Sequence, residues 1–240
     1  MSISILQQRI RSCKTPVALG LSPHAERLES PQAAAMLQSG IAALDAAAGK
    51  LSAVCLRAER YIAGGAEGFA ALCQLVHEAK AREFYVIVDC RACDSGAWLA
   101  AVPEADAVTV MPYMGGDVCA VPEDKAAFAV LRTANPAAGE VQNLMAGDRK
   151  LYAAVGEQMA RRGAGAVIET GYSLDIRELR RRLEKTFMIL THCDGEAASY
   201  AFDEYGHGAL VVDEEIQYAQ DMDAAVSATV KAMKQWVTVL

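Results

Sequence analysis

The sequence predicts an α/β protein of the (β/α)8 TIM-barrel class, and three observations lead to that prediction. Short apolar runs alternate with longer helix-like segments eight times along the 240 residues. Polar residues follow nearly every run. No Gly-x-Gly-x-x-Gly follows the first run and no Gly-x4-Gly-Lys-Ser/Thr occurs, so dinucleotide-binding and P-loop folds lose their main support. The alternative architecture is an open, doubly wound sheet.

The eight apolar runs are short, continuous and mostly β-branched or aromatic, which is typical of parallel strands buried on both faces. They cover residues 17–21, 53–56, 84–88, 107–110, 128–131, 166–168, 187–190 and 209–212. The polar residues near their ends are Ser22, Arg57, Asp89, Tyr113, Thr133, Glu169, His192 and Asp213. Such a crown of polar strand ends is typical of a barrel mouth and favours the barrel over the open sheet.

The segments between the runs carry apolar residues at helical spacing. The clearest are residues 32–48, 68–81, 151–162, 174–183 and 223–237. A short amphipathic segment with Ile5 and Ile10 precedes the first run and is predicted to form an N-terminal helix. Because no Pro/Gly/Ser-rich linker interrupts the pattern, we expect a single domain over residues 1–240.

Composition and charge exclude several classes of protein. Hydrophobic residues make up 53% of the chain and charged residues 22%, which excludes disorder as a description of the whole. Thirty acidic against 23 basic residues give a net charge of −7, so no nucleic-acid partner is expected. No apolar run is long enough to cross a bilayer, and several of the seven cysteines lie in apolar stretches. We therefore expect a cytoplasmic protein with no membrane partner.

Residues 89–94, which follow the third run, are candidates for a catalytic site, although they could also form a structural ion pair. Side chains two residues apart on a strand share a face, so Asp89 and Arg91 should both point into the barrel mouth, with Asp94 following in the loop. An acid beside a cation favours the charged forms of both, which would make a catalytic array; the alternative is a structural ion pair. Cys90 and Cys93 are predicted to be buried and chemically inert, with Cys90 facing the helices.

Three segments resemble the orotidine 5′-phosphate decarboxylases. They are the DxRxxD stretch at residues 89–94, ADAVTVMPYMGGD at 105–117, and LRTANPAAGEVQNL at 131–144. The resemblance runs in register from about residue 16 to residue 219. It implies a barrel that forms a homodimer with its active sites at the interface, needs no cofactor, and decarboxylates orotidine 5′-phosphate to UMP in pyrimidine biosynthesis.

The resemblance also implies a catalytic tetrad of lysine, aspartate, lysine and aspartate. Asp89 and Asp94 match the two aspartates. The second lysine, which donates the proton, is replaced by Arg91, and the first lysine is replaced by Cys55. A guanidinium, with a pKa above about 12, gives up its proton reluctantly, so Arg91 is a poor proton donor.

The substrate-binding positions that the resemblance implies are also altered. Ser22 stands where the family has an aspartate, and Thr133 and Asn135 lie in the segment that contacts the pyrimidine. Glu196 and Glu214 align with the glutamine and arginine that hold the phosphate. Carboxylates facing a phosphate dianion repel it. We therefore expect decarboxylation of orotidine 5′-phosphate to be weak or lost.

Two alternative functions remain open. The first is a non-catalytic barrel that binds a small, nucleotide-like ligand or a partner. The second is a metal-dependent enzyme acting on another substrate, because the carboxylates expected at the mouth could bind a divalent cation. Cys55, His192 and Cys193 would add softer ligands. If those carboxylates are instead solvated loop residues, no metal binds.

Overall fold

The computed structural model describes residues 2–24, 27, 32–169, 172–202 and 207–239. Eight parallel strands close into a barrel in which each strand pairs with the next along the chain and β8 pairs with β1. The strands are β1 Val17–Leu21, β2 Ala53–Arg57, β3 Tyr85–Ala92, β4 Ala107–Val110, β5 Ala126–Arg132, β6 Gly165–Glu169, β7 Met188–Thr191 and β8 Gly208–Val212. The predicted barrel is confirmed, and the closed strand order excludes the open sheet.

Helices surround the strands as the helical spacing predicts. They are α1 Ser2–Cys13, α2 Gln32–Ala47, α3 Ala58–Ile62, α4 Gly65–Ala81, α5 Ser95–Ala101, α6 Ala138–Gln142, α7 Leu151–Ala160, α8 Ser173–Arg182, α9 Gly195–Ser199, α10 Glu214–Gln217 and α11 Met222–Met233. A two-residue hairpin pairs Met145–Ala146 with Arg149–Lys150 between α6 and α7. None of the described helices is long and apolar enough to span a bilayer.

Alternation along the strands divides the buried apolar residues into two layers. One layer fills the space between strands and helices, and the other fills the barrel interior. The interior layer includes Ala53, Phe128 and Ile189, together with Leu6 and Ile10 from α1. Helix α1 therefore packs its apolar face against the interior of the barrel, while the polar carboxyl ends of the strands form the mouth.

Leu6 tests whether α1 contributes to the barrel core. The Leu6 side chain is fully buried, whereas Ile5 on the same helix is 46% exposed. We expect Leu6→Ala to lower the free energy of unfolding by about 2–4 kcal/mol, because it leaves a cavity in the interior. Ile5→Ala should cost less than about 1 kcal/mol. Urea denaturation of both variants measures the difference, and equal losses would contradict the packing of α1 into the barrel.

Candidate functional site

A cavity of about 660 Å³ opens at the carboxyl ends of the strands. Six of the eight polar strand-end residues line it, namely Ser22, Arg57, Asp89, Glu169, His192 and Asp213. The other two point elsewhere: the Tyr113 hydroxyl donates to the carbonyl of Leu131 at 3.1 Å, and the Thr133 hydroxyl bonds to Asn135. The polar crown is thus concentrated on the β1–β3 and β6–β8 sides of the mouth.

Two arginines and two carboxylates contact one another at this end of the barrel, and three of them, Arg57, Asp89 and Glu169, line the cavity, whereas Arg91 does not. Arg57 Nη2 and Arg91 Nη2 both donate to Glu169 Oε1, at 3.1 and 2.5 Å. Arg57 Nε lies 3.4 Å from Asp89 Oδ2, and Arg91 Nε lies 3.7 Å from Asp89 Oδ1. We call these four residues the arginine–carboxylate ring. Their formal charges cancel.

The ring is largely shielded from solvent, which strengthens its internal interactions. The side chains of Glu169 and Asp89 are 6% and 11% exposed, and that of Arg57 is 18% exposed. Burial acts to lower the pKa of Arg57, but the adjacent Asp89 and Glu169 outweigh burial and raise this pKa above its ordinary value. The Arg57 guanidinium therefore holds its proton even more firmly than a solvated arginine does.

Thr109 on β4 fixes the geometry of the β3 end. Its hydroxyl donates to Asp89 Oδ1 at 2.6 Å and accepts the backbone N–H of Arg91 at 2.9 Å. The β3–β4 register shifts between Val88 and Ala92, and Arg91 has a φ of +47°, a conformation that L-residues rarely adopt. The backbone is therefore strained at Arg91, as is common at functional sites.

Sequence reasoning missed Arg57 and Thr109 as members of the site. The sequence pattern identifies Arg57 only as a polar strand end. Arg57 nevertheless follows Cys55 by two residues, so the two side chains must share one face of the strand. Thr109 is the single polar residue of an otherwise apolar β4, and its place between two valines that face the helices directs it inward. Strand alternation was the signal for both residues.

Cys55, which the resemblance aligns with a lysine, lines the cavity, and its thiol carries no charge. Burial and then the nearby Asp89 carboxylate raise the pKa of its thiol well above the ordinary value. Burial likewise raises the pKa of Cys193 and of Cys90 to about 12. Cys90 packs on the helix side, as predicted. The prediction for Cys93 is wrong: it follows the end of β3 and is exposed.

Five predicted site residues do not line the cavity, namely Arg91, Asp94, Thr133, Asn135 and Glu196, and two of these are exposed acids. Asp94 is exposed and caps α5, with its Oδ1 accepting the backbone N–H of Ala97 at 2.9 Å. Glu196 is exposed in the first turn of α9. Neither carboxylate therefore contributes to the cavity of this single chain. Both residues come after the strand end, where helix geometry instead of strand alternation directs the side chain.

Thr133 and Asn135 also turn away from the cavity. Thr133 Oγ1 donates to Asn135 Oδ1 at 2.6 Å, and Gln142 Nε2 donates to Thr133 Oγ1 at 2.7 Å. Gln142 Oε1 also accepts the backbone N–H of Thr133. These contacts tie the end of β5 to α6, so a local polar network accounts for both residues in this structure.

Ser22 and Glu214 do line the cavity. The backbone N–H of Ser22 donates to Gln217 Oε1 at 3.0 Å. Glu214 Oε1 lies 3.2 Å from His24 Nε2, and Glu214 Oε2 lies 3.1 Å from Arg27 Nη1. Glu214 is thus paired with the Arg27 guanidinium and is not a free repulsive charge.

The divalent-cation site that the acidic residues could have formed is not assembled. Within the described part of the chain, no three His, Cys, Asp or Glu side chains converge in a way that could hold a metal ion. Asp89 and Glu169, which are the most buried carboxylates of the cavity, contact guanidinium groups instead. Arginine side chains therefore supply the positive charge that the predicted carboxylate cluster requires.

Comparisons with known proteins find relatives that are named orotidine 5′-phosphate decarboxylase. No family model matches this chain. The chain is 26% identical over 244 residues, 80% of each chain, to the orotidine 5′-phosphate decarboxylase of Rhodopirellula baltica. It is 30% identical over 158 residues to that of Halorubrum lacusprofundi, covering 61% of this chain and 56% of the relative.

Solved structures show the same fold. The Leishmania donovani OMP decarboxylase superposes with a TM-score of 0.83 at 23% identity, covering 98% of this chain and 97% of that one. The Plasmodium berghei orotidine 5′-monophosphate decarboxylase superposes with a TM-score of 0.82 at 13% identity, covering 97% of both chains.

Glu169 tests the arginine–carboxylate ring. Glu169→Gln removes the one oxygen charge that both guanidinium groups share, so we expect the free energy of unfolding to fall by about 3–5 kcal/mol. Glu59 is the matched control, because it lies 3.3 Å from Arg57 Nε but is 63% exposed. Glu59→Gln should cost less than about 1 kcal/mol. Chemical denaturation measures the free energy of unfolding of both variants. Similar small decreases for both would show that the ring is not a stabilising unit.

Proposed function

We propose that this chain, a divergent relative of the orotidine 5′-phosphate decarboxylases in sequence and fold, is a small-molecule-binding barrel in which decarboxylation of orotidine 5′-phosphate is weak or lost. The observation that carries the proposal is the contact between Arg91 and Glu169. Arg91 stands at the position of the proton-donating lysine, and its guanidinium is bound to a buried carboxylate.

Proton transfer explains why this substitution matters. A general acid is effective when its pKa lies near the working pH, and an amine can be tuned toward that value. A guanidinium cannot, because its ordinary pKa lies above about 12, and Arg91 is held against Glu169 and Asp89. Arg91 can still stabilise negative charge electrostatically, which leaves room for weak turnover only.

Arg57 explains how Asp89 keeps a cationic partner although both lysines are replaced. Cys55 is neutral, so the carboxylate of Asp89 would lack a cation on the β2 side. Arg57, two residues further along the same strand, places its Nε 3.4 Å from Asp89 Oδ2. Charge balance is therefore kept by two arginines, but neither offers a readily transferable proton.

The region where relatives are expected to hold the substrate phosphate remains unfavourable for an anion. Glu214 is paired with Arg27, and Glu196 lies outside the cavity. The ends of β7 and β8 nevertheless contribute carboxylates to the cavity, at Asp194 and Asp213. Because remote phosphate binding helps to drive catalysis, this repulsion would lower turnover as well as affinity.

Homodimerisation in the cytoplasm is part of the proposal. All seven cysteines are free thiols, which suits a reducing compartment. Exposed apolar side chains follow the neighbouring strands β4 and β5: Met114 is 64% exposed, Leu144 56% and Met145 67%. Exposed apolar side chains of this size favour association with a second copy.

Sedimentation tests the dimer. We expect a species of twice the 25.6 kDa chain mass, and we expect Met145→Glu to shift it toward the monomer, because a charge would be buried at the interface. Ile5→Glu, at the opposite end of the barrel, is the control and should leave the dimer intact. A monomer for the unmodified protein would refute this part of the proposal.

An ultraviolet assay of orotidine 5′-phosphate loss tests the proposed function, with the Rhodopirellula baltica enzyme assayed in parallel. We expect turnover to be about 10²–10⁴-fold slower than in the relative, which is the usual contribution of a general acid. UMP should raise the melting temperature of the relative but not of this chain. Turnover at the relative's rate, or clear stabilisation by UMP, would overturn the proposal.

A further inference from the structure

One wall of the cavity is held together by contacts between the segment that follows β1 and helix α10. Ser22 and His24 line the cavity on the β1 side of this wall, and Glu214 lines it on the α10 side. His24 Nε2 lies 3.2 Å from Glu214 Oε1, and Arg27 Nη1 lies 3.1 Å from Glu214 Oε2. One carboxylate therefore joins two side chains that follow β1.

The backbone that follows β1 is bonded to the same part of the chain. Because Pro23 has no N–H, residues 22–24 offer only two backbone donors. The Ser22 N–H donates to Gln217 Oε1 at 3.0 Å, and the His24 N–H donates to Tyr218 Oη at 2.8 Å. We call these contacts the β1–α10 clasp, which joins Ser22, His24 and Arg27 to Glu214, Gln217 and Tyr218.

The clasp is buried at its inner end and exposed at its outer end. Gln217 is 2% exposed, whereas the side chains of Arg27 and Glu214 are 49% and 45% exposed. Arg27 also lies over the Tyr218 ring, 4.7 Å from its centre. Exposed ion pairs contribute little to stability, and salt screens them. The outer end can therefore separate at small cost while Gln217 still holds Ser22.

The β5 side of the mouth, across the barrel from β1, is fixed more firmly. Arg132, Thr133 and Gln142 are all buried there and are joined by hydrogen bonds. Local opening is easiest where the contacts are exposed to solvent, and it is hardest where they are buried. The wall that contains the β1–α10 clasp therefore opens more readily than the β5 side.

We propose that the β1–α10 clasp is a salt-sensitive gate, and that separation of its outer end admits small molecules to the cavity. This inference rests on the proposed function, because a gate requires that the cavity takes a small-molecule ligand. It adds how the ligand enters, namely between the end of β1 and α10.

Cys55 reports whether a molecule passes the gate. It lines the cavity, and it pairs with Gly20 in the β1–β2 register, so it lies beside the strand that carries the clasp. Burial is the main cause of the raised pKa of its thiol, and Glu214 is not among the charged groups that contribute to that shift. A change in Cys55 labelling after substitution of Glu214 therefore reports access to the thiol and not its acidity.

Amide hydrogen exchange measured by NMR tests whether the clasp opens. Glu214→Ala removes both side-chain contacts of the outer end, so we expect the His24 N–H to exchange about threefold to tenfold faster in low salt. The Ser22 N–H should remain protected, because its acceptor is buried. Glu215→Ala is the matched control and should change neither rate. Glu215 is exposed in the same first turn of α10 and has no ion pair among the described residues.

Labelling of Cys55 with N-ethylmaleimide, followed by peptide mass spectrometry, tests whether opening admits a molecule. The reagent is uncharged, so loss of the Glu214 charge does not alter its attraction to the cavity. We expect Glu214→Ala to accelerate labelling by about threefold to tenfold, and Glu215→Ala by less than about twofold. Cys119, which is buried outside the cavity, should be labelled at one slow rate in all variants.

Salt and a second variant test the gate without substitution of Glu214. Raising NaCl to about 0.5 M should accelerate Cys55 labelling of the unmodified protein by about twofold to threefold, because salt screens the pair of Arg27 and Glu214. Tyr218→Phe removes the hydroxyl that accepts the His24 N–H and keeps the ring, so it should accelerate labelling in the same direction.

Four results would overturn the inference. Faster exchange at His24 without faster labelling of Cys55 would show that the clasp does not control entry. Equal effects of Glu214→Ala and Glu215→Ala would assign the change to α10 in general. Labelling of Cys119 that rises in step with Cys55 would show unfolding of the whole chain. Labelling of the unmodified protein that salt leaves unchanged would exclude a salt-sensitive gate. None of these results depends on turnover of orotidine 5′-phosphate, so the proposed function is decided separately by its own assay.

Discussion

The organisation of the mouth depends on one carboxylate oxygen, Glu169 Oε1, which accepts hydrogen bonds from two guanidinium groups. Arg57 reaches it from β2 and Arg91 from β3, while Asp89 lies beside both arginines. Four formal charges can be buried together only because each has an opposite charge and a directed contact. The ring therefore joins the ends of β2, β3 and β6 across the barrel.

This arrangement keeps the charge balance of a catalytic site while changing its chemistry. Lysine ammonium groups could hold the same carboxylates and still release a proton, whereas arginines hold them more firmly and release none. The strained backbone at Arg91, fixed by Thr109, indicates that the position of this guanidinium is specified and not incidental. The same four contacts thus join the strand ends and, in the function proposed above, leave the site without a readily transferable proton.

Electrostatic polarity distinguishes the rest of the cavity from the ring. Asp194 and Asp213 are fixed by capping contacts, and Gly20 provides the space that Asp213 needs. Arg60, which lines the same cavity, has a buried Nε without a hydrogen-bond partner among the described residues.

The sequence by itself determined the barrel, because alternating buried strands and amphipathic helices are local patterns that one chain displays directly. It also located Asp89, Cys55 and Ser22 at the mouth, since strand alternation decides which side chains face inward. Only the tertiary structure decided the partners. Arg57 and Glu169 are 112 residues apart in sequence, and their contact depends on barrel closure. Asp94 and Glu196 lie past the strand ends, at the starts of α5 and α9. Helix geometry, and not strand alternation, therefore sets the direction of their side chains.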